Sequence, residues 1–134
     1  MGFEAWGFED LAKQLDEIGK IDDLAPTMLE AAAPILEKEL KSQIHREAVK
    51  GYATGELERS IKANKPGENH IGHFVSVTAK GKDRNGTRNN EKLGYLNYGT
   101  SKQPAHPVIA RSVKNVEEEC LEVMQAVFNE AEEI

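Results

Sequence analysis

The chain is poor in the residues that most often announce chemistry. Its 134 residues include one cysteine, Cys120, so an internal disulfide is excluded and a reducing cytoplasm fits. A zinc cluster built on paired cysteines is excluded with it. Aromatic residues make up 6% of the chain and there is one tryptophan. No stretch approaches the roughly 20 apolar residues needed to span a bilayer. The start, Met1-Gly2-Phe3-Glu4, lacks the basic residues and apolar run of a signal peptide. There is no H-E-x-x-H, no G-x-S-x-G, no phosphate-cradling glycine loop and no dinucleotide fingerprint. No cofactor, metal or catalytic residue is therefore expected.

What is present points to a small globule. A chain of 134 residues fits one domain and buries about two-thirds of its unfolded surface, enough for a core without staples. Hydrophobic content is 39%, which suits thin layers, exposed helices, or apolar surface that a partner completes. The formal charge of −6 argues against DNA binding through a general basic face.

Residues 1–7 carry Phe3 and Trp6 among glycines and acids. They read either as a frayed end or as an arm that docks on a neighbouring subunit, since aromatics dominate interface energetics. Phe8, Leu11, Leu15 and Ile18 recur at helical steps, which predicts a short amphipathic helix ending at Gly19. A longer helix is expected from about Leu24 to Ala48, capped by Asp22 or Asp23, with Pro26 in its first turn. Its stripe is Met28, Ala32, Ile35, Leu36, Leu40 and Ile44, and Pro34 should kink it. Thr54 can cap one short turn that places Leu57 and Ile61 on an inner face. The period then changes. Ile61 and Ala63 alternate with polar residues, Pro66-Gly67 signals a turn, and Ile71 to Ala79 alternates clearly. A hairpin of these two runs would be the heart of an antiparallel sheet.

Residues 80–92 read as a mobile loop rich in Lys80, Lys82, Arg84, Arg88 and Lys92. Asn85-Gly86 offers a type I′ turn. The loop is either plain surface or a basic finger, led by Arg84 and Arg88, that contacts an acidic neighbour or passing DNA. Leu93 to Tyr98 leans to a short helix or turn ahead of Gly99. The last helix is expected from about Ala105 to Glu132, with a seam of Ile109, Val113, Val116, Cys120, Val123 and Val127. Leu121, Met124 and Phe128 widen that seam into a second stripe, offered to the long helix or to another subunit.

Between these helices lies the most specific wording in the chain, Tyr95-Leu96-Asn97-Tyr98-Gly99-Thr100-Ser101-Lys102-Gln103-Pro104-Ala105-His106-Pro107. Gly99 lets the backbone turn sharply. Pro104 and Pro107 fix their own φ and keep the residues before them out of helix. The stretch is a rigid elbow that aims the last helix.

Tyr-Gly-Thr-Ser followed by Pro-Ala-x-Pro and a helix resembles a family of tailed-phage structural proteins, the gene-product-ten type tail-component or head–tail joining proteins of the HK-ninety-seven class. Upstream, Thr54-Gly55-Glu56-Leu57-Glu58-Arg59-Ser60-Ile61 is similar to the family's stretch that opens its sheet. The resemblance covers roughly residues 24–130. Two positions depart from its pattern: Asn97 stands where an acidic residue is usual, and Val108 where an aromatic is. The resemblance implies a structural, non-enzymatic subunit of a phage or prophage virion, assembled in the bacterial cytoplasm. It implies a ring between head connector and tail tube, with other neck or tail proteins as partners, no sequence-specific nucleic-acid binding and no membrane. A net negative charge would let DNA pass such a ring if acidic faces line it.

The remaining candidate sites are weak. His70 and His73 are three apart in a strand and face opposite sides, and His45 has no partner that completes a metal site. Cys120 lies in the apolar seam and reads as a small buried hydrophobe. Asp22-Asp23 reads as a helix cap and Glu117-Glu118-Glu119 as a solvated face. The expectation is an α+β domain, a small antiparallel sheet with a long helix on each side in sequence. Its interface residues would be Tyr98, Gly99, Thr100, Pro104, Pro107, Leu121, Met124, Phe128, Arg84, Arg88 and Trp6. Two other classes stay open: a small non-catalytic binding module of adaptor or toxin–antitoxin type, and an enzyme whose site is too diffuse to see.

Overall fold

A computed structural model of the chain describes residues 21–70 and 72–132. The short helix expected over 8–18 and the aromatic arm with Trp6 lie outside the described residues. The fold is α+β. Its elements in order are α1 (Ile21–Val49), α2 (Gly55–Ser60), β1 (Ile61–Ala63), β2 (Gly67–Glu68), β3 (His73–Phe74), β4 (Val77–Ala79), α3 (Asn89–Tyr98) and α4 (Val108–Glu132). The described chain falls into two compact units, one of residues 21–35, 63–76 and 117–132, the other of residues 36–62 and 77–116.

In the first unit the core is Ala25, Met28, Leu29, Ala32, Ala33, Val75, Cys120, Met124 and Phe128. Alanine on α1 leaves room for close approach, and the Cys120 thiol reaches the Ala32 carbonyl at 3.8 Å. Helix α1 is described from Ile21, so Asp22 and Asp23, expected as N-caps ahead of Leu24, lie within its printed bounds. Pro26 and Pro34 both lie within the helix, which continues through them. Pro34 and Glu30 are exposed, so the carbonyl deprived of its donor at Pro34 faces water. Strands β2 and β3 form an antiparallel hairpin pairing Gly67 with Phe74 and Glu68 with His73.

The single strand expected over 71–79 is instead broken between Phe74 and Val77. The break falls where the pairing changes: β3 pairs with β2, while the Asn64 N–H bond to the Ser76 carbonyl at 2.8 Å continues the register of β4 with β1, one residue out of step with that of β3 with β2. The Ser76 hydroxyl and carbonyl also engage the Asn64 amide at 2.9 and 3.3 Å. The turn also moves from Pro66-Gly67 to the Asn69–Gly72 pair, which exchange backbone bonds. The alternation itself is sound, because Val75, Val77 and Ala79 are all buried.

In the second unit β1 pairs antiparallel with β4, and the Lys80 N–H donates to the Ser60 carbonyl at 2.8 Å. Helices α2 and α3 pack against each other and against β4. Thr54 caps α2 as its position suggests, accepting from the Leu57 N–H at 3.2 Å. Leu57 and Ile61 are buried with Leu36, Leu40, Ile44, Leu93 and Leu96. The Gly51 and Tyr52 N–H groups donate to the Ala48 and Glu47 carbonyls, the hydrogen-bond pattern that closes a helix C-terminus.

Helix α3 starts at Asn89, so the expected loop over 80–92 is shorter than its sequence implied. The turn within it is not type I′. The Gly86 N–H donates to the Asp83 carbonyl, which centres the turn on Arg84-Asn85, and Asn85 does not have the positive φ that type I′ demands. Helix α4 starts at Val108 rather than Ala105. Pro107 stands just ahead of it, its carbonyl accepting from the Arg111 N–H at 3.0 Å.

The face that α4 buries is the largest correction. Val108, Ser112, Val116, Cys120, Met124 and Phe128 are buried, while Ile109, Val113, Val123 and Val127 are only half-buried. A row of four-residue steps winds about 40° per step around a helix of 3.6 residues per turn. It therefore meets the expected seam at Val116 and Cys120 and leaves it at both ends. Met124 and Phe128 are core residues of the first unit and form no spare flank, and Leu121 is half-buried beside them.

Candidate functional site

The second unit holds the features that could act on a partner. It contains all five buried polar residues among the described residues: Gln43, Glu47, Asn89, Asn97 and Ser112. Glu47 lies on the α1 stripe after Leu40 and Ile44, a position that the helical period reserves for an apolar side chain. Its carboxylate is 2% exposed. One oxygen receives the Arg111 guanidinium at 3.1 Å. The other lies 3.2 Å from His106 Nδ1. The His106 ring stacks on Tyr52, with ring centres 4.3 Å apart. A buried carboxylate demands such partners, because leaving the charge unpaired costs several kcal/mol, of order 3–5. Glu47 thus ties the end of α1 to the start of α4 within this unit. It was invisible as a site in the sequence, although a lone acid on an apolar stripe was its signal.

The elbow over residues 98–107 is built as tightly as its composition suggests. Gly99 has φ +79° and ψ 174°, and its N–H donates to the Tyr95 carbonyl at 2.9 Å. A Cβ there would sit 2.8 Å from the Ala105 nitrogen and 3.0 Å from the Gln103 carbonyl oxygen. Thr100 and Gln103 pair across a short bend, and the Lys102 N–H donates to the Thr100 hydroxyl at 3.2 Å. The His106 N–H returns to the Leu96 carbonyl at 2.7 Å. Asn97 is buried, and its side-chain oxygen accepts from the Ile109 N–H at 3.0 Å. It caps α4 from a distance with a neutral acceptor. Val108 is fully buried.

Tyr98 is 78% exposed and Tyr95 52%, and Tyr52 and Val49 are exposed as well. A shallow groove of about 240 Å³ is lined by Gly51, Tyr52, Ala53, Thr54, Leu57, Lys92, Tyr95, Leu96 and Gln103. Pro104 and Thr100 are exposed and Pro107 is half-buried. Arg84 and Arg88 are exposed and paired with Glu56 at 3.8 Å and Glu91 at 3.5 Å. The turn carrying Arg84 is pinned by Asp83. Its carboxylate accepts from the Asn85 and Thr87 N–H groups and from Lys92 at 2.8 Å. Those bonds, that of Lys92 first, hold the Asp83 carboxyl below its ordinary range. The structure therefore gathers the elbow, Arg84 and Arg88 in the second unit. Leu121, Met124 and Phe128 belong to the first.

Charge is divided between the units. The second carries fourteen Lys and Arg against seven Asp and Glu, a net +7. The described part of the first carries one lysine against ten Asp and Glu, a net −9. The overall −6 hides this division.

Burial and the neighbouring Glu119 charge push the Cys120 thiol up to about 11, so it is held protonated and is no nucleophile at neutral pH. His45 pairs with Glu58 at 3.0 Å. Among the described residues, no three His, Cys, Asp or Glu residues come together to hold a metal ion. No described helix is long and apolar enough to cross a membrane.

No curated protein and no solved structure matches the chain. A family model described as "Bacteriophage HK97-gp10, putative tail-component" matches residues 9–99. That span is well over half of the chain and includes α1, α2, every described strand, α3 and the first two residues of the elbow, Tyr98 and Gly99, so the protein belongs to the HK97-gp10-like family of phage tail components.

Proposed function

We propose that this protein is a non-catalytic joining subunit of a phage or prophage virion, a tail-completion or head–tail joining component that acts as part of a ring between head connector and tail tube. The observation that carries the reading is the division of charge. A subunit in which one unit is net +7 and the described part of the other is net −9 suits head-to-tail contact, where one copy's basic surface meets the next copy's acidic surface. Such contacts close into a ring when the rotation between copies permits. The exposed Tyr95 and Tyr98 supply aromatic surface of the kind that anchors interfaces. The elbow supports the same reading, since its backbone bonds fix where those tyrosines stand. In such a ring the acidic unit is suited to the lumen, where it would let DNA slide past. Neighbouring neck and tail proteins are the other partners, and assembly takes place in the bacterial cytoplasm.

Inactivating the gene in the phage or prophage that carries it tests the reading. The expected result by electron microscopy is filled heads and finished tails that remain separate, restored by supplying the protein in trans. Infectious, intact virions formed in its absence would refute the proposal.

A further inference from the structure

The groove of the second unit and the opening residues of the chain are complementary, and we propose that the groove receives the segment around Trp6 of a neighbouring copy. This names the contact within the assembly reading and rests on it. Leu57 and Leu96 form a buried apolar floor, and Tyr52 and Tyr95 stand beside it about half exposed. Lys92 is committed to Asp83, and the nearby acids Glu56 and Glu58 are committed to Arg84 and His45. Lys50 and Lys102 are different. They adjoin the lining residues Gly51 and Gln103, are exposed, and make no ion pair among the described residues. The groove thus offers aromatic surface flanked by uncommitted positive charge.

Residues 1–10 carry the complement. Phe3, Trp6 and Phe8 are their aromatic side chains, and Glu4, Glu9 and Asp10 their only charged ones. Rings from this segment would stack on Tyr52 and Tyr95, and its carboxylates would meet Lys50 and Lys102. Trp6 lies fifteen residues before Ile21, a reach of at most about 50 Å when extended. The family match begins at residue 9, so Phe3, Trp6 and Phe8 lie outside the matched span. A segment from one copy seated in the groove of the next makes a heterologous contact, the kind that propagates around a ring.

Trp6 is the only tryptophan, so its fluorescence reports the segment directly. Raising the concentration of the full chain through its association range should move Trp6 emission to the blue, and dilution should reverse it. The double variant Tyr95→Ala/Lys102→Glu changes only exposed side chains. It should lose the shift and weaken association roughly tenfold, with the circular dichroism spectrum unchanged. Emission that stays at its solvent value while sedimentation shows association would overturn this contact and leave the assembly reading standing. Blue-shifted emission at every dilution would place the segment in its own chain's groove and overturn the exchange between copies. A chain that stays monomeric throughout would remove the neighbouring copy and overturn both the contact and the self-association behind it.

Discussion

Replacing Gly99 by alanine strikes the elbow at its least tolerant atom. With φ +79° and ψ 174°, the residue occupies backbone space that is essentially reserved for glycine. Holding an alanine there costs about 1–3 kcal/mol in backbone strain alone. The new Cβ would also lie 2.8 Å from the Ala105 nitrogen and 3.0 Å from the Gln103 oxygen. Both are backbone atoms, fixed by the Thr100–Gln103 pairing and the His106–Leu96 bond, so they cannot swing aside as a side-chain tip would. Together the two effects amount to roughly 3 kcal/mol or more. Against a total stability of about 5–15 kcal/mol, that is a large fraction.

Gly94 supplies the internal control. It lies within α3, and a Cβ added there meets nothing within 4 Å. Gly94→Ala should stabilise the chain by about 0.5–1 kcal/mol, the usual gain for relieving a helix of glycine. Urea unfolding followed by far-ultraviolet circular dichroism measures both. The midpoint should fall clearly for Gly99→Ala and rise slightly for Gly94→Ala. A Gly99→Ala variant within about 0.5 kcal/mol of the parent would refute the elbow as a stiff, sterically closed bend.

Three further outcomes follow from the same geometry. Arg111→Leu strands the buried Glu47 carboxylate with His106 alone. Because Arg111 is itself 45% exposed, the expected loss is about 1–3 kcal/mol rather than that of a fully buried pair, and Glu47→Leu/Arg111→Leu should recover most of it in urea titrations. Cys120 should resist thiol reagents in the folded chain near neutral pH and react fully in urea. Its pKa is raised by folding, so its stabilising contribution is complete below an unfolded value near 9.0 and is lost as pH rises toward about 11. Asp83 has the opposite sign. Its pKa is lowered by folding, so the turn it pins should hold above the ordinary value of 3.8 and loosen as pH falls below it, seen as a shift of the Asn85 and Thr87 amide resonances that Asp83→Asn abolishes.

The order and type of most described elements were legible because they depend on local rules. Thr54 caps α2 through a bond to a residue three positions on. Gly99 turns the chain because no other residue fits there. The buried face of β4 continues the alternation through Val75, Val77 and Ala79. Features decided by distant neighbours were not legible. The long strand is broken because its two halves pair with different strands whose registers differ by one residue. Ser112 counts as core because its hydroxyl is spent on the Val108 carbonyl at 2.7 Å, which no hydrophobic pattern registers. The stripe of α4 was misread because a seam of alternating steps and a row of four-residue steps coincide at Val116 and Cys120 and part elsewhere. Glu47 and Asn97 were missed as organisers because their partners come from segments far along the chain. The opposite charges of the two units were hidden for the same reason, since each unit is assembled from segments that alternate in sequence.

The central claim, that this tail component works by joining to copies of itself, is tested most directly by sedimentation velocity over a wide range of protein concentration at low and high salt. The account predicts a species whose mass is a multiple of 14.9 kDa, growing with concentration and receding as salt screens the contacts between oppositely charged units. A single 14.9 kDa boundary under every condition, including in the presence of the phage's own neck and tail proteins, would contradict it.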